Sequence, residues 1–234
     1  AASAVPSSSS TSRSERALRN GKLLRPCSDS VNTLVSFAKM AAVHDLSCAP
    51  LDVSAVHVRM GRGKFETIAC PLLLARECQA PFGIEVESRY TPKPLFAGGT
   101  DPRKHLTMQL EVPAEVASSL SELDAAVRGA SAAAGEWQPL VNEREGRYTV
   151  KARVVVEGPR PATFRVGNGE LQEAAWPALS RELDAHGCFR GAGMSVALRP
   201  AYVWAVSGRR GLSLICEQFV AQPSAANMAI DYFA

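Results

Sequence analysis

The 234-residue chain predicts a mainly β protein with some helix: a partly open antiparallel barrel with one inserted helix and a long C-terminal hairpin. Three observations lead there. Within Cys188 to Gln222, two runs rich in Val, Leu, Ile and aromatics flank Ser207-Gly208-Arg209-Arg210-Gly211. Glycine tolerates the positive φ of a hairpin turn, so this segment reads as a hairpin with a basic tip. Period-two alternation marks strands at Lys104 to Val112 and Tyr148 to Val156. Between them Val116, Leu120, Leu123 and Val127 form one apolar helical stripe, opened by Pro113.

Composition bounds the function. With 46% hydrophobic and 21% charged residues the chain is ordinary globular material, long enough for one large or two small domains. No apolar stretch reaches the roughly 20 residues that span a bilayer, so no membrane partner is expected. A net charge of +3 is too slight to argue for a polyanionic ligand; only the placement of charge can do that. The six cysteines (Cys27, Cys48, Cys70, Cys78, Cys188, Cys216) contain no Cys-x-x-Cys pair. Reduced thiols and no metal or other cofactor are the expectation.

Taken in order, residues 1–28 combine Ser7 to Ser10 with Arg13, Arg16, Arg19, Lys22 and Arg25 against Glu15 alone. Such a segment buries too little apolar surface to offset chain ordering, and reads first as a disordered arm. The same composition suits a transit peptide for a plastid or mitochondrion, or an arm adding nonspecific phosphate contacts. Residues 29–51 hold a short helix, Ser30 to Val43, and a linker. The main domain spans 52–222. It opens with Val56, Val58 and Met60 alternating with His57 and Arg59, then a turn, Gly61-Arg62-Gly63-Lys64, into Phe65 to Ala69. That turn lacks the spacer and hydroxyl of a phosphate loop. A Pro-bearing segment, Pro71 to Gly83, and a Pro/Gly-rich loop, Tyr90 to Pro102, precede the first clean strand. After the second come an extended piece, Pro161 to Val166, and a helix over Glu170 to His186 restarted at Pro177 and closed by Gly187. Residues 223–234 form a tail. Short strands, long loops and one inserted helix are the general plan of an OB-type domain.

Catalytic patterns are missing. His44, His57, His105 and His186 lie far apart, and Gly193-Met194-Ser195-Val196-Ala197 lacks the second glycine of a nucleophile elbow. Asp124 and Asp184 fall on helix surfaces rather than in an acidic cluster. An enzyme is not expected.

What remains is charge beside aromatic rings. Arg190, Arg199, Arg209 and Arg210 face only Glu217 across the hairpin, near Tyr202 and Trp204. Cations for phosphates and rings for bases are what a single-strand surface needs. Aromatic residues in hairpins are more often core, and the parity here favours core: Tyr202 and Trp204 share it with Met194, Val196 and Leu198. A bulge at Pro200 would instead swing Trp204 to the opposite face.

Several pieces in order carry a resemblance: Ala80-Pro81-Phe82-Gly83, Leu106 to Leu110, Leu123-Asp124 leading to Trp137, Tyr148 to Lys151, Pro161 to Val166, and Tyr202-Val203-Trp204 followed by Gly208-Arg209-Arg210-Gly211. Over about residues 52–222 this resembles the OB-fold single-stranded-DNA-binding proteins of large eukaryotic DNA viruses and their algal and dinoflagellate relatives. Arg210 stands where an aromatic is expected, and Ala162 where a second proline is. The resemblance implies non-catalytic, sequence-independent binding of single-stranded DNA in replication, recombination or repair, in a nucleus or viral replication compartment. Arg62, Lys64, Arg147, Lys151, Arg153, Arg199, Arg209 and Arg210 would hold phosphates; Phe82, Trp137, Tyr202 and Trp204 would stack bases. Replication proteins docking on the tail, and a homo-oligomer, would be its further partners. A single-stranded RNA binder, or a barrel module for protein interaction, are the alternatives.

Overall fold

The structure, a computed structural model, describes residues 43–61, 65–86, 106–156 and 160–222. Among them the strands are, in order, β1 (Val43–Asp45), β2 (His57–Met60), β3 (Glu66–Ala69), β4 (Leu72–Ala80), β5 (Ile84–Val86), β6 (Leu106–Val112), β7 (Glu136–Gln138), β8 (Val141–Arg144), β9 (Arg147–Val154), β10 (Thr163–Val166), β11 (Gln172–Glu173), β12 (Ala192–Val206) and β13 (Arg209–Gln222). Helix α1 (Ala114–Ala130) follows β6 and helix α2 (Trp176–Ala185) follows β11.

Five strands close on themselves. β13 pairs with β9, β9 with β6, β6 with β4, β4 with β12, and β12 returns to β13. In chain order these neighbour one another as first, second, third, fifth, fourth and first again. The third–fifth pair is parallel and the rest are antiparallel. This is an OB-type barrel, as the strand pattern predicts. It is nearly open where β4 meets β6, through the single register pair Gln79 and Glu111. The alternation at Leu106, Met108, Leu110 and Val112 and at Val150, Ala152 and Val154 sends those side chains into the buried core.

α1 packs on β2, β8, β9 and β13, burying the predicted stripe of Val116, Leu120, Leu123 and Val127. α2 buries Leu179 and Leu183 in the core that also holds Phe164, Phe189 and Phe219. Phe164 stacks on Phe219 with centroids 5.6 Å apart, and Phe189 meets Phe219 edge-on at 6.1 Å. α2 is shorter than the helix expected from Glu170. Pro177 sits in its first turn, the one place where a missing N–H costs nothing, and Gln172–Glu173 pairs with β10 instead.

Other differences have local causes. The helix expected over Ser30 to Val43 lies outside the described residues, apart from Val43, which is in β1. The Pro71 to Gly83 segment, read without a strand, holds β4. Its alternation is hidden because Leu73 and Leu74 are both buried, Leu74 packing outward with Val220 and Val43. Glu77 in the left-handed region (φ 54°) breaks the pattern further.

The C-terminal hairpin organises the rest. One edge of β13 pairs with β12 from Arg209 to Gln222, while the other is taken in turn by three parallel strands, β7, β9 and β10. Beyond the barrel the hairpin continues as an arm, where β12 pairs with β3, and β3 with β2. The turn is two residues, Ser207 (φ 51°) and Gly208 (φ 77°), both left-handed as a type I′ turn requires. Arg209 and Arg210 are therefore strand residues and not the tip. Within β12 the pairing slips between Pro200 and Tyr202, leaving Ala201 as an extra residue. Met194, Val196, Leu198 and Pro200 point inward before the bulge and Val203 after it. Tyr202 and Trp204 are thereby turned to the outer face, correcting the parity-based expectation of core.

A left-handed Ser207 is strained, whereas Asn-Gly is the favoured pair for this turn. Ser207→Asn is expected to stabilise the protein by about 0.5–1 kcal/mol and Ser207→Val to destabilise it by at least as much. Urea unfolding followed by circular dichroism checks both.

Candidate functional site

Register brings the scattered cations and rings together. Thr107 on β6 faces Arg153 on β9, and Gln109 faces Lys151. Arg153 adjoins Ile215 on β13, which faces Arg199 on β12. Past the bulge, Ser213 faces Tyr202, Gly211 faces Trp204, and Arg209 faces Val206. Alternation then puts Arg147, Lys151, Arg153, Arg199, Tyr202, Trp204 and Arg209 on one outer surface.

A cleft opens in that surface where the edge of β13 changes partners. β7 pairs with it as far as Gly211 and β9 begins at Leu214. The space between them measures about 690 Å³. Leu212, Ser213 and Leu214 floor it, Gln138 to Leu140 and Asn142 form one wall, and Thr107 with Lys151 to Arg153 forms the other. Tyr202 and Trp204 line it from β12, each half-buried. Lys151 and Arg153 give the lining two positive charges, and no carboxylate lines it.

Trp204 is seated by a glycine. A Cβ on Gly211 would stand 2.8 Å from Trp204 Cζ2 and 3.1 Å from the Gln138 carbonyl oxygen. Only a residue without a side chain lets the indole lie across β13 while β7 stays paired behind it.

Two further cations are paired with acids. Arg199 Nε donates to the Glu217 carboxylate, and Arg147 Nη1 lies 3.9 Å from Glu111 Oε2. Arg209 is exposed on the side of Trp204, whereas Arg210, one residue on, faces the other way. Phe82, 51% exposed, lies in a second cleft of about 680 Å³ with Trp176 and Leu183, which shares no residue with the first. Arg62 and Lys64 lie outside the described residues.

Arg210 and Trp137 belong to a hydrogen-bonded knot under the arm. The Arg210 guanidinium donates to the Gly135 carbonyl (3.1 Å), the Ser131 hydroxyl (3.2 Å) and the Ala133 carbonyl, and lies 5.2 Å from the Trp137 ring centroid. The buried Glu66 carboxylate accepts from the Ser131 hydroxyl and from the Ala132 N–H at 2.7 Å. Trp137 donates its indole N–H to Asp124 Oδ2 at 3.0 Å, and the Leu140 N–H donates to the same oxygen at 3.2 Å. Asp124, which the helical stripe assigns to the surface, is thus a buried anchor, 8% exposed. Its position holds Gln138 to Leu140, the wall of the cleft.

The polar wall residues Gln138 and Asn142 were not singled out from sequence, because they lie in the short, patternless β7 and β8. Thr107 was legible as an outward position of its strand. Among the described residues no three His, Cys, Asp or Glu side chains group as metal ligands.

Burial raises the Asp124 carboxyl above its usual value of 3.8, opposed by the hydrogen bonds from Trp137 and Leu140 and by the Arg128 charge. The folded state therefore binds this proton more tightly than the unfolded chain, and Asp124 contributes less stability as pH rises from 3.8 through the raised value. Asp124→Asn, which keeps an acceptor, is expected to lose that slope: acidification from neutral pH towards the usual carboxylate value stabilises the parent relative to this variant. Asp124→Ala leaves two donors unpaired and is expected to cost about 1–3 kcal/mol. Urea titrations across that pH range check both. Gly211→Ala is expected to displace the Trp204 indole, seen as a shift of its N–H resonance, and to cost about 1–3 kcal/mol through overpacking.

No family model and no curated protein matches the chain. Among solved structures it is similar to the single-stranded DNA-binding protein from bacteriophage Enc34 (C-terminal truncation), at 10% identity and a TM-score of 0.40 over 72% of this chain and 95% of that one. Overlap of that degree carries no argument about this chain.

Proposed function

We propose that this protein binds single-stranded DNA without reading its sequence and without catalysis. The observation that carries this reading is the cleft that two half-buried rings, Tyr202 and Trp204, line together with Lys151 and Arg153, with no carboxylate in the lining. Rings stack on any unpaired base, and cations on the neighbouring strand hold its phosphates. A duplex keeps its bases stacked inside and offers the rings nothing. The cleft also lies on the face of the second and third barrel strands, beside the loop joining the fourth and fifth, where barrels of this type take oligonucleotides. Arg209 and Arg147 extend the positive surface to either end; Arg199, matched by Glu217, adds little. Coating DNA exposed during replication, recombination or repair suits such a surface, and the motif-level resemblance to viral and algal single-strand binders agrees with it.

Fluorescence anisotropy with oligo-dT, oligo-U and a duplex, at two salt concentrations, tests the proposal. Oligo-dT is expected to bind more tightly than the duplex, and its affinity to fall with salt by about 0.7 log units per log unit for each phosphate neutralised. Trp204→Ala is expected to cost about 1–3 kcal/mol of binding. Lys151→Glu and Arg209→Glu should weaken binding with little loss of stability, whereas Arg210→Glu should lower the melting temperature first. A preference for oligo-U would make the ligand RNA. Absence of salt-sensitive binding to either single strand would leave a barrel that serves protein contacts.

A further inference from the structure

We infer that the single-strand path does not end at the barrel cleft but crosses the arm, with Phe65 as a third stacking ring and Arg59 as the outermost phosphate contact; this rests on the single-strand reading above. The register places both residues. Thr67 on β3 pairs with Tyr202 and Glu66 with Val203, so the next step of the same antiparallel ladder sets Phe65 beside Trp204. Thr67 also pairs with Arg59 on β2. Phe65, Thr67 and Arg59 therefore share the face of Tyr202 and Trp204.

The two faces of the arm differ in their rings and charges. On one, Glu66, Val203 and Leu212 are buried and Arg210 is tied to the segment that follows α1, with Met60 exposed at its outer end. The other carries Phe65 at 59% exposure and Val206 at 60%, with half-exposed Trp204 among them. A β surface that leaves a phenylalanine ring mostly in water beside an indole has a hydrophobic patch that its own fold does not use. Arg59 and Arg209 are exposed on this face; Glu136, the neighbour of Arg209 on β7, is the acid at its edge. Flat rings bordered by arginines match the bases and phosphates of an unpaired strand, while a protein partner of ordinary composition would need no such cationic border.

The geometry gives the path a length. From β9 to β2 the strands are β9, β13, β12, β3 and β2, four steps of about 4.8 Å, or roughly 19 Å measured across the sheet. A strand lying along this line would meet Lys151, then Tyr202 and Trp204, then Phe65, then Arg59.

Anisotropy with oligo-dT on full-length Phe65→Ala, Phe65→Leu, Arg59→Glu and Trp204→Ala, together with melting temperatures and photocrosslinking of oligo-dT mapped by mass spectrometry, tests this. Phe65→Ala is expected to weaken binding roughly 5- to 100-fold with an unchanged melting temperature. Phe65→Leu should lose nearly as much, because it keeps apolar bulk but not the ring. Arg59→Glu should lower the log–log salt slope by at least about 0.7, and a crosslink should map to Phe65. Wild-type affinity in Phe65→Ala, with Trp204→Ala weakened, would end the path at the cleft and overturn the inference while the single-strand reading stands. A lowered melting temperature with unaltered affinity would make Phe65 a packing residue and overturn it equally. No binding by the parent protein would instead remove the reading on which the inference rests.

Discussion

The continuous ladder between β12 and β13 is the constraint to which the rest of this structure answers. Backbone N–H and C=O groups in a barrel must be paired, so a strand cannot simply turn its side chains over. The chain resolves this with one extra residue. Ala201 lets the ladder resume one position out of phase, so the same strand supplies core below the bulge and half-buried, outward-facing rings above it. Without that slip Tyr202 and Trp204 would be buried and the cleft would have no aromatic wall. The positive charge of Lys151 and Arg153 would then have no ring beside it.

The second support is polar and buried. Glu66, Ser131, Arg210, Trp137 and Asp124 form a run of hydrogen bonds and a cation–ring contact from β3 to the wall of the cleft. The buried Glu66 carboxylate and the Oδ2 atom of Asp124 are each met by two donors, which makes the arrangement geometrically demanding. It fixes the arm against α1 by a contact that hydrophobic packing alone, which is non-directional, would not orient.

How much of this was legible depended on how far each feature reached along the chain. The strands β6 and β9, the stripe of α1 and the hairpin could be read because alternation and helical spacing are local. Four of the candidate residues, Lys151, Arg153, Tyr202 and Trp204, do meet in one cleft. The roles of Arg209 and Arg210 could not be separated, because a two-residue turn and a longer one differ only in the register that distant strands impose. With Ser207 and Gly208 alone in the turn, strict alternation sends Arg210 beneath the sheet. Phe82 and Trp137 were singled out as aromatic, yet the sequence held no sign that one lies in a separate cleft or that the other is hydrogen-bonded to a helix residue thirteen positions upstream. β4 escaped notice because a strand covered on both sides loses its alternation.

The three parallel strands that share one edge of β13 carry a consequence for how the molecule forms. β7, β9 and β10 all precede their common partner, and none can complete its ladder until that last strand has been made. Synthesis from the N-terminus therefore releases the barrel strands well before the one that closes them. Pairings of such long sequence separation are entropically costly and slow to form. Until β13 has been made the earlier strands carry unclosed edges, and the barrel closes only once that strand has emerged.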